Sequence, residues 1–455
     1  MTTEIDTNLI NRLHRAVDSE VIAPDGAAYD EARTVVYGGF DRRPAAVVRP
    51  GSASEVAAVI GIAAETGVEL AVRSGGHSLA GHGVSEGGIV LDVRALNSLQ
   101  IDPEARIASA GTGLTAGEYT KAAGEYGLAT GFGDAPTVGV GGITLGGGIG
   151  LLTRKYGLTI DNLLAAEIVT ADGEVLKVDG NNHPDLFWAI RGGGGNFGVA
   201  TKFKYQLQPV PQIVGGMMIL PATAELVSEF IDLAASAPEE LSTILNVMSA
   251  LPFPLPEPIE GPVAMALMTY AGDSEAGERV VAPYRQLAEP IMGGLGPITY
   301  PEMFQEQEEE FHPVAVVRNN FADTVDEETV VTTLERLQTS TAMFSVLQIR
   351  ALGGAMARVP NDATAFAHRE RPFLTSVASI YEDVEETADH QAWVEPLAES
   401  VANGEPGTYV GFLGDEGEDR IRAAYPGPTF DRLAQVKAKY DPDNLFRMNQ
   451  NVKPA

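Results

Sequence analysis

Cysteine is absent from all 455 residues. That alone excludes disulfide frameworks, thiolate metal sites and cysteine nucleophiles. Lysine is scarce, with 8 against 23 arginines and none in the first 120 residues. Acids outnumber bases 62 to 31, for a formal charge of −31. Such a surface repels phosphate backbones and anionic lipid, so neither nucleic acid nor a membrane is an expected partner. Abundant Asp and Glu with little Lys keeps a protein soluble at high salt, which points to a cytoplasmic protein of a high-salt organism. A generally acidic mesophilic protein is the alternative. Long apolar runs are missing too, since none approaches the ~18 residues of a membrane span. The opening stretch MTTEIDTNLINRLHRAVDSEVI has neither a signal peptide's apolar core nor a twin-Arg pair. There is no G-x-x-x-x-G-K-[ST] nucleotide loop and no G-x-S-x-G hydrolase context.

Glycine is in excess: 50 residues, about 11 % against a usual ~7 %. It concentrates between positions 67 and 200. Ahead of it, Ser52 and Glu55 have capping-box spacing, and Val56, Val59, Ile60 and Ala63 share one helical face, with Gly67 as C-terminal cap. Residues 68–72 alternate as a strand that runs into Arg73-Ser74-Gly75-Gly76-His77-Ser78, and 89–93 form another. A second glycine block, VGVGGITLGGGIG, spans 138–150. A third, Arg191 to Gly198, follows the helix-like PDLFWAI and leads into an alternating strand at 199–207. After Pro209 the texture changes to amphipathic helices and strands with acidic runs, EQEEE (306–310) and EDVEE (382–386), read as solvated faces. The Pro-rich LPFPLPEPIEGP (251–262) reads as a loop. From about 408 the chain is strand-like again, then helical to Tyr440, where Asp441-Pro442 ends the helix. A boundary falls near 210, and the mixture of elements indicates an α+β fold.

Gly193, Gly195 and Gly198 fit G-x-G-x-x-G, but a dinucleotide site needs a strand before the motif and a helix after it. Here that order is reversed. His77 and His82 lack a third ligand at metal-binding spacing, so no metal site is expected. His77 instead ends a tight Gly-Gly turn directly after a strand, where successive backbone N–H groups can cradle an anion.

RSGGHS (73–78), TVGVGGITLGGGIGLLTRKYGLTIDNL (137–163), PDLFWAIRGGGGNFGV (184–199) and YDPDNLFRMNQNV (440–452) together resemble the berberine-bridge-enzyme-like group. That group lies within the vanillyl-alcohol-oxidase and p-cresol-methylhydroxylase superfamily. The match spans both ends of the chain with its motifs in order. The resemblance implies a two-domain flavoprotein. An FAD-binding domain would comprise residues 1–210, with its core at about 40–210. A separate α/β substrate domain would span 211–407, and 408–455 would return to the FAD domain. It further implies that His77 is the histidyl anchor bonded to the flavin 8-methyl carbon, with Arg73, Ser74, Gly75, Gly76 and Ser78 around the pyrophosphate. By the same match Leu79, His82, Ala135, Pro136, Thr137, Val138, Gly141, Gly142, Gly146, Gly147, Tyr156, Gly157, Asn162, Val199, Asn449 and Asn451 belong to the cofactor site.

Two departures from the family pattern carry information. Many members bind the flavin a second time through a Cys in a C-P-T-V-G-V-G-G string; here that position is Ala135, so a single covalent link through His77 is expected. Relatives often end the C-terminal strand with a Tyr that is a candidate base; here the string is Thr408-Tyr409-Val410-Gly411-Phe412. Either Tyr409 takes that role or the substrate needs no strong base. Val138 holds a position where, in the family, a small residue goes with oxygen access. Alternation in Leu347–Ala351 puts Gln348 and Arg350 on one face, able to hold a substrate oxygen or carboxylate; Arg350 could instead pair with an acid. The expected reaction passes a hydride from a small-molecule C–OH or C–N carbon to FAD, with molecular oxygen as acceptor and hydrogen peroxide as product. A flavin dehydrogenase using another acceptor is the alternative, and a nicotinamide enzyme or a non-catalytic binding protein the third reading.

Overall fold

The computed structural model describes residues 7–253, 261–304 and 312–455. The run at 306–310 and most of the Pro-rich 251–262 lie outside them. Two sheets of four and five strands are built before Pro211, beside a short two-stranded pairing of Leu128–Ala129 with Gln208–Pro209. In the first, Glu20–Ile22, Ala46–Arg49, Ile89–Asp92 and Leu70–Arg73 lie in that order. Its three inner pairings are not alike: Ile89–Asp92 runs parallel to both neighbours, while Glu20–Ile22 is antiparallel. Helix Ala53–Thr66 carries the chain from Ala46–Arg49 to Leu70–Arg73, the two strands that flank Ile89–Asp92, and buries Val56, Val59, Ile60 and Ala63. Ser52 Oγ accepts from Glu55 N at 3.3 Å, and Gly67 closes the helix at φ +69°. The reciprocal half of a capping box is absent. The Glu55 carboxylate instead accepts from the N–H groups of Gly51 and Asp18, at 2.7 and 2.8 Å, tying down the segment before the sheet.

The second sheet is antiparallel, in the order Leu99–Asp102, Ile107–Gly111, Val199–Gln206, Leu163–Val169, Val175–Asp179. Beyond Pro211 the chain enters a third, antiparallel sheet of eight strands, all drawn from residues 213–381. Helices Ala224–Ser236, Glu327–Leu337 and Thr387–Val401 cover one of its faces, burying Phe230, Val330 and Leu397. The alternation of Phe344–Ala351 sends Leu347, Ile349 and Ala351 into that core. Gln348 and Arg350 are left on the other face. The fold is thus α+β. The expected strand after 408 does not form: Val410–Phe412 is one 3₁₀ turn. Gly411 sits inside it, and its polar groups are paired to the side chain of Asn319 in strand Val314–Ala322: Asn319 Oδ1 accepts from Tyr409 N at 2.7 Å and its Nδ2 donates to Phe412 O at 3.0 Å. The acidic stretch 382–386 is exposed. No helix among the described residues is long and apolar enough to cross a membrane.

Helix Pro428–Tyr440 ends before Asp441-Pro442, as the sequence indicates. Its Lys437 is sealed from solvent and donates to Asn196 O and Phe446 O, both at 2.8 Å, and to the carboxylate of Asp441, which is also fully buried. Removing one partner from such a pair leaves an uncompensated buried charge. Lys437→Met is therefore expected to cost about 3–5 kcal/mol, measured by denaturant unfolding; Lys437→Met/Asp441→Leu should recover part of that loss.

Candidate active site

A cleft of about 500 Å³ opens between the glycine-rich loops and the uncovered face of the eight-stranded sheet. Strand Leu70–Arg73 delivers the RSGGHS loop to its wall. The Arg73 guanidinium is turned to the interior: it donates to Asp92 Oδ2 at 2.9 Å, to Thr34 O at 3.2 Å and to Ala32 O. Burial lowers its pKa despite Asp92. Arg73 thus anchors the loop from behind while remaining part of the cleft wall. Ser74 Oγ donates to Thr112 O at 2.6 Å. A Cβ on Gly75 would sit 2.2 Å from Gly139 N, and one on Gly139 would sit 2.1 Å from Gly75 N. The first two glycine blocks therefore touch backbone to backbone, closer than any side chain allows.

That contact brings Thr137 Oγ1 within 2.9 Å of His77 Nε2. Burial holds the His77 imidazole neutral, with a pKa lowered to about 4. His82, farther along the same wall, is lowered to about 4 for the same reason, and Arg42 adds to the effect. The third glycine block enters through Gly194, Gly195 and Asn196, and the C-terminal segment through Met448, Asn449 and Gln450.

Most of the expected residues meet in this cleft: Ser74 to Leu79, His82, Ala135, Val138, Gly141, Gly142, Gly146, Val199, Asn449, Gln348, Arg350 and Tyr409. Others stand behind it. Tyr156 donates to Pro209 O at 2.9 Å, and Asn162 Nδ2 donates to Tyr156 O at 2.9 Å, so these two pin a loop rather than line the cleft. Gly157 (φ +82°) lies against Asp161, and Gly147 (φ +124°) against Phe366, both at close approaches that a side chain would obstruct. Pro136, Thr137 and Asn451 are likewise off the wall, although Thr137 reaches His77.

On the sheet side, Arg350 Nη2 donates to Asp134 Oδ2 at 2.9 Å, Arg350 Nε to Gln348 Oε1 at 3.0 Å, and Gln348 Nε2 to Asn246 Oδ1 at 2.8 Å. The Arg350 guanidinium lies 5.2 Å over the Phe412 ring. The Tyr409 hydroxyl oxygen accepts from Gly148 N at 3.1 Å, and burial raises its pKa, so at neutral pH it is a phenol and no base. Asp134, Tyr37 and Asn196 were not expected. For Asp134 a signal existed: it is the only acid between Glu125 and Asp161.

The residues present fit FAD. Gly142 and Gly195, both on the wall, have no heavy atom within 4 Å of an added Cβ, so backbone faces open space. Asn449 Oδ1 is a buried acceptor with no partner among the described residues. Two family models match the chain, an FAD binding domain at residues 44–179 and a berberine and berberine-like segment at 408–453. It is 30 % identical to (R)-6-hydroxynicotine oxidase of Paenarthrobacter nicotinovorans over 456 residues, covering 96 % of this chain and 97 % of that one. An FAD-linked oxidoreductase of Bacillus subtilis is 32 % identical over 413 residues, covering 88 % and 90 %. The crystal structure of 6-hydroxy-D-nicotine oxidase from Arthrobacter nicotinovorans superposes with a TM-score of 0.86 at 26 % identity, covering 96 % and 98 %. The fold and the cleft define an FAD-linked oxidoreductase. Within that class the chain belongs to the berberine-bridge-enzyme-like family.

Two outcomes follow from the cleft wall. Gly75→Ala forces the loops apart and is expected to abolish flavin retention, read from the visible absorbance of the purified protein. His82, like the buried His368, takes a proton near pH 4 when folded and near 6.5 when unfolded. Between those values the unfolded chain binds the extra protons, so stability drops as pH falls through that window and levels off below it. Denaturant midpoints at neutral pH and near pH 4 should differ less in His82→Gln/His368→Gln than in the parent.

Proposed function

We propose that the chain is an oxidase that carries FAD through one covalent bond, at His77, and oxidises a small molecule at a carbon bearing a hydroxyl or amine. The observation that carries this reading is the His77 ring itself: a neutral imidazole on the cleft wall, oriented by Thr137. A neutral imidazole has the free electron pair that a bond to an electrophilic carbon requires. Ala135 and the absence of cysteine support a single link.

When bound, FAD supplies a two-electron acceptor that oxygen returns to its oxidised state with release of hydrogen peroxide. The chain's own part is positioning and exclusion of water. Residues 1–210 and 408–455 form the FAD-holding part, and 211–407 the substrate part; the confinement of the eight-stranded sheet to 213–381 supports that division. Val138 on the wall supports oxygen as acceptor over another oxidant. The relatives' names, a hydroxynicotine oxidase and oligosaccharide oxidases, support cyclic amines and sugars as the substrate classes to try. A cytoplasmic setting at high salt is part of the same reading, supported by the charge of −31.

The test is a denaturing gel of protein purified at molar salt, imaged for flavin fluorescence under acid. A fluorescent band that His77→Ala removes is the expected result. Yellow protein with a dark band would leave FAD in place and take the covalent role from His77.

A further inference from the structure

We infer that Asp134 is the catalytic base, taking the proton from the substrate's O–H or N–H through its Oδ1 atom. The inference rests on the oxidase reading above and adds the group which that reading leaves unassigned. Of the chain's 62 acids, Asp134 alone lines the cleft among the described residues. Its side chain is 26 % exposed, and Arg350 occupies Oδ2. Oδ1 has no hydrogen-bond partner among the described residues, so one lone-pair oxygen faces the cleft in a fixed orientation.

The other titratable groups of the wall are poor alternatives. Tyr37 and Tyr409 are phenols whose pKa burial raises further, and Asp134's own charge adds to the rise in both. His77 is committed to the flavin bond of the oxidase reading, and His82 stands farther along the wall beside Arg42, whose charge opposes its taking a proton. Arg73 and Arg350 have no lone pair to offer. Tyr300, buried without a partner, also feels the Asp134 charge but lies off the wall. Asp134 therefore faces Tyr37, His77, Tyr300, Tyr409 and Arg350, and Arg350 is the one fixed cation among them.

Arg350 is a positioning residue. Gln348 and the Phe412 ring fix its guanidinium, and the guanidinium fixes the carboxylate. The step balances simply. The proton passes from the substrate heteroatom to Oδ1, the C–H hydrogen leaves with its electron pair to the FAD that family membership supplies, and a carbonyl or imine remains. A substrate without a removable proton on the oxygen or nitrogen is outside this chemistry.

The experiment uses the FAD-loaded protein and follows anaerobic bleaching of the flavin by benzyl alcohol, cyclohexanol, glucose, cellobiose, benzylamine and pyrrolidine. With the best of these probes, Asp134→Asn should slow bleaching by about 100-fold or more and erase the acidic limb of the pH profile, with flavin content unchanged. Arg350→Met should slow it less, about tenfold, because the carboxylate remains but is no longer held in place, and Arg350→Lys should recover part of that loss. Asp134→Glu should retain more rate than Asp134→Asn. An Asp134→Asn protein that keeps its flavin, its rate and its acidic limb overturns the inference and leaves the oxidase reading standing. So does flavin-loaded parent protein that none of the probes bleaches. Parent protein without flavin overturns the oxidase reading, and the base assignment with it.

Discussion

An ammonium group shut away from water forfeits several kcal/mol of hydration unless the protein surrounds it with acceptors and a counter-charge. Lys437 is placed under that demand, and the way it is met determines how the chain is laid out. Its three partners come from the third glycine block, from the end of its own helix and from the segment beyond. Asp441 in turn accepts from the N–H groups of Leu445 and Phe446, at 2.8 and 2.9 Å. Asn196 completes the junction, donating to Gly193 O and Gln450 O and accepting from Val452 N. The glycine loop and the C-terminal segment are thus one hydrogen-bonded body, and both reach the cleft only as parts of it.

Away from that junction the interior relies on arginine. Arg73 with Asp92, Arg350 with Asp134 and Arg369 with Asp161 each join segments distant in sequence, and each guanidinium spreads its donors over more than one acceptor. A planar fork suits that task better than a point charge does. The scarcity of lysine and the retention of arginine are therefore two aspects of one composition: acids cover the outside, and forked cations organise the inside. The cleft escapes the outer charge almost completely, since a chain with a charge of −31 turns one carboxylate of the described residues toward it.

Local signals carried much of this structure. Helix Ala53–Thr66, the strands at 70–73, 89–92 and 199–206, and the end of the last helix are legible because capping residues, alternation and a proline each act within a few positions. The glycine blocks were legible as loops of special geometry. Their mutual contact was not, because the approach of Gly75 to Gly139 depends on how two distant segments stack. The 3₁₀ turn at 410–412 was misread as a strand for a related reason: Tyr409 and Thr408 satisfy their polar groups on Asn319, a partner about ninety residues away. Gln348 and Arg350 were placed by simple alternation, while Asp134, their partner from another segment, needed the tertiary fold. Tyr156 and Asn162, within a motif string, stand behind the cleft wall and hold a loop there.

The junction at Lys437 also sets an order of events in time. Asn196 emerges from the ribosome long before Lys437 and Val452 exist to hold it, so the third glycine block must wait, its polar groups in water, until nearly the whole chain has been made. The wall of the cleft is closed from its far end. A chain that lacks residues 437–452 lacks every one of these partners, and with them the hold that keeps the third glycine block against the cleft.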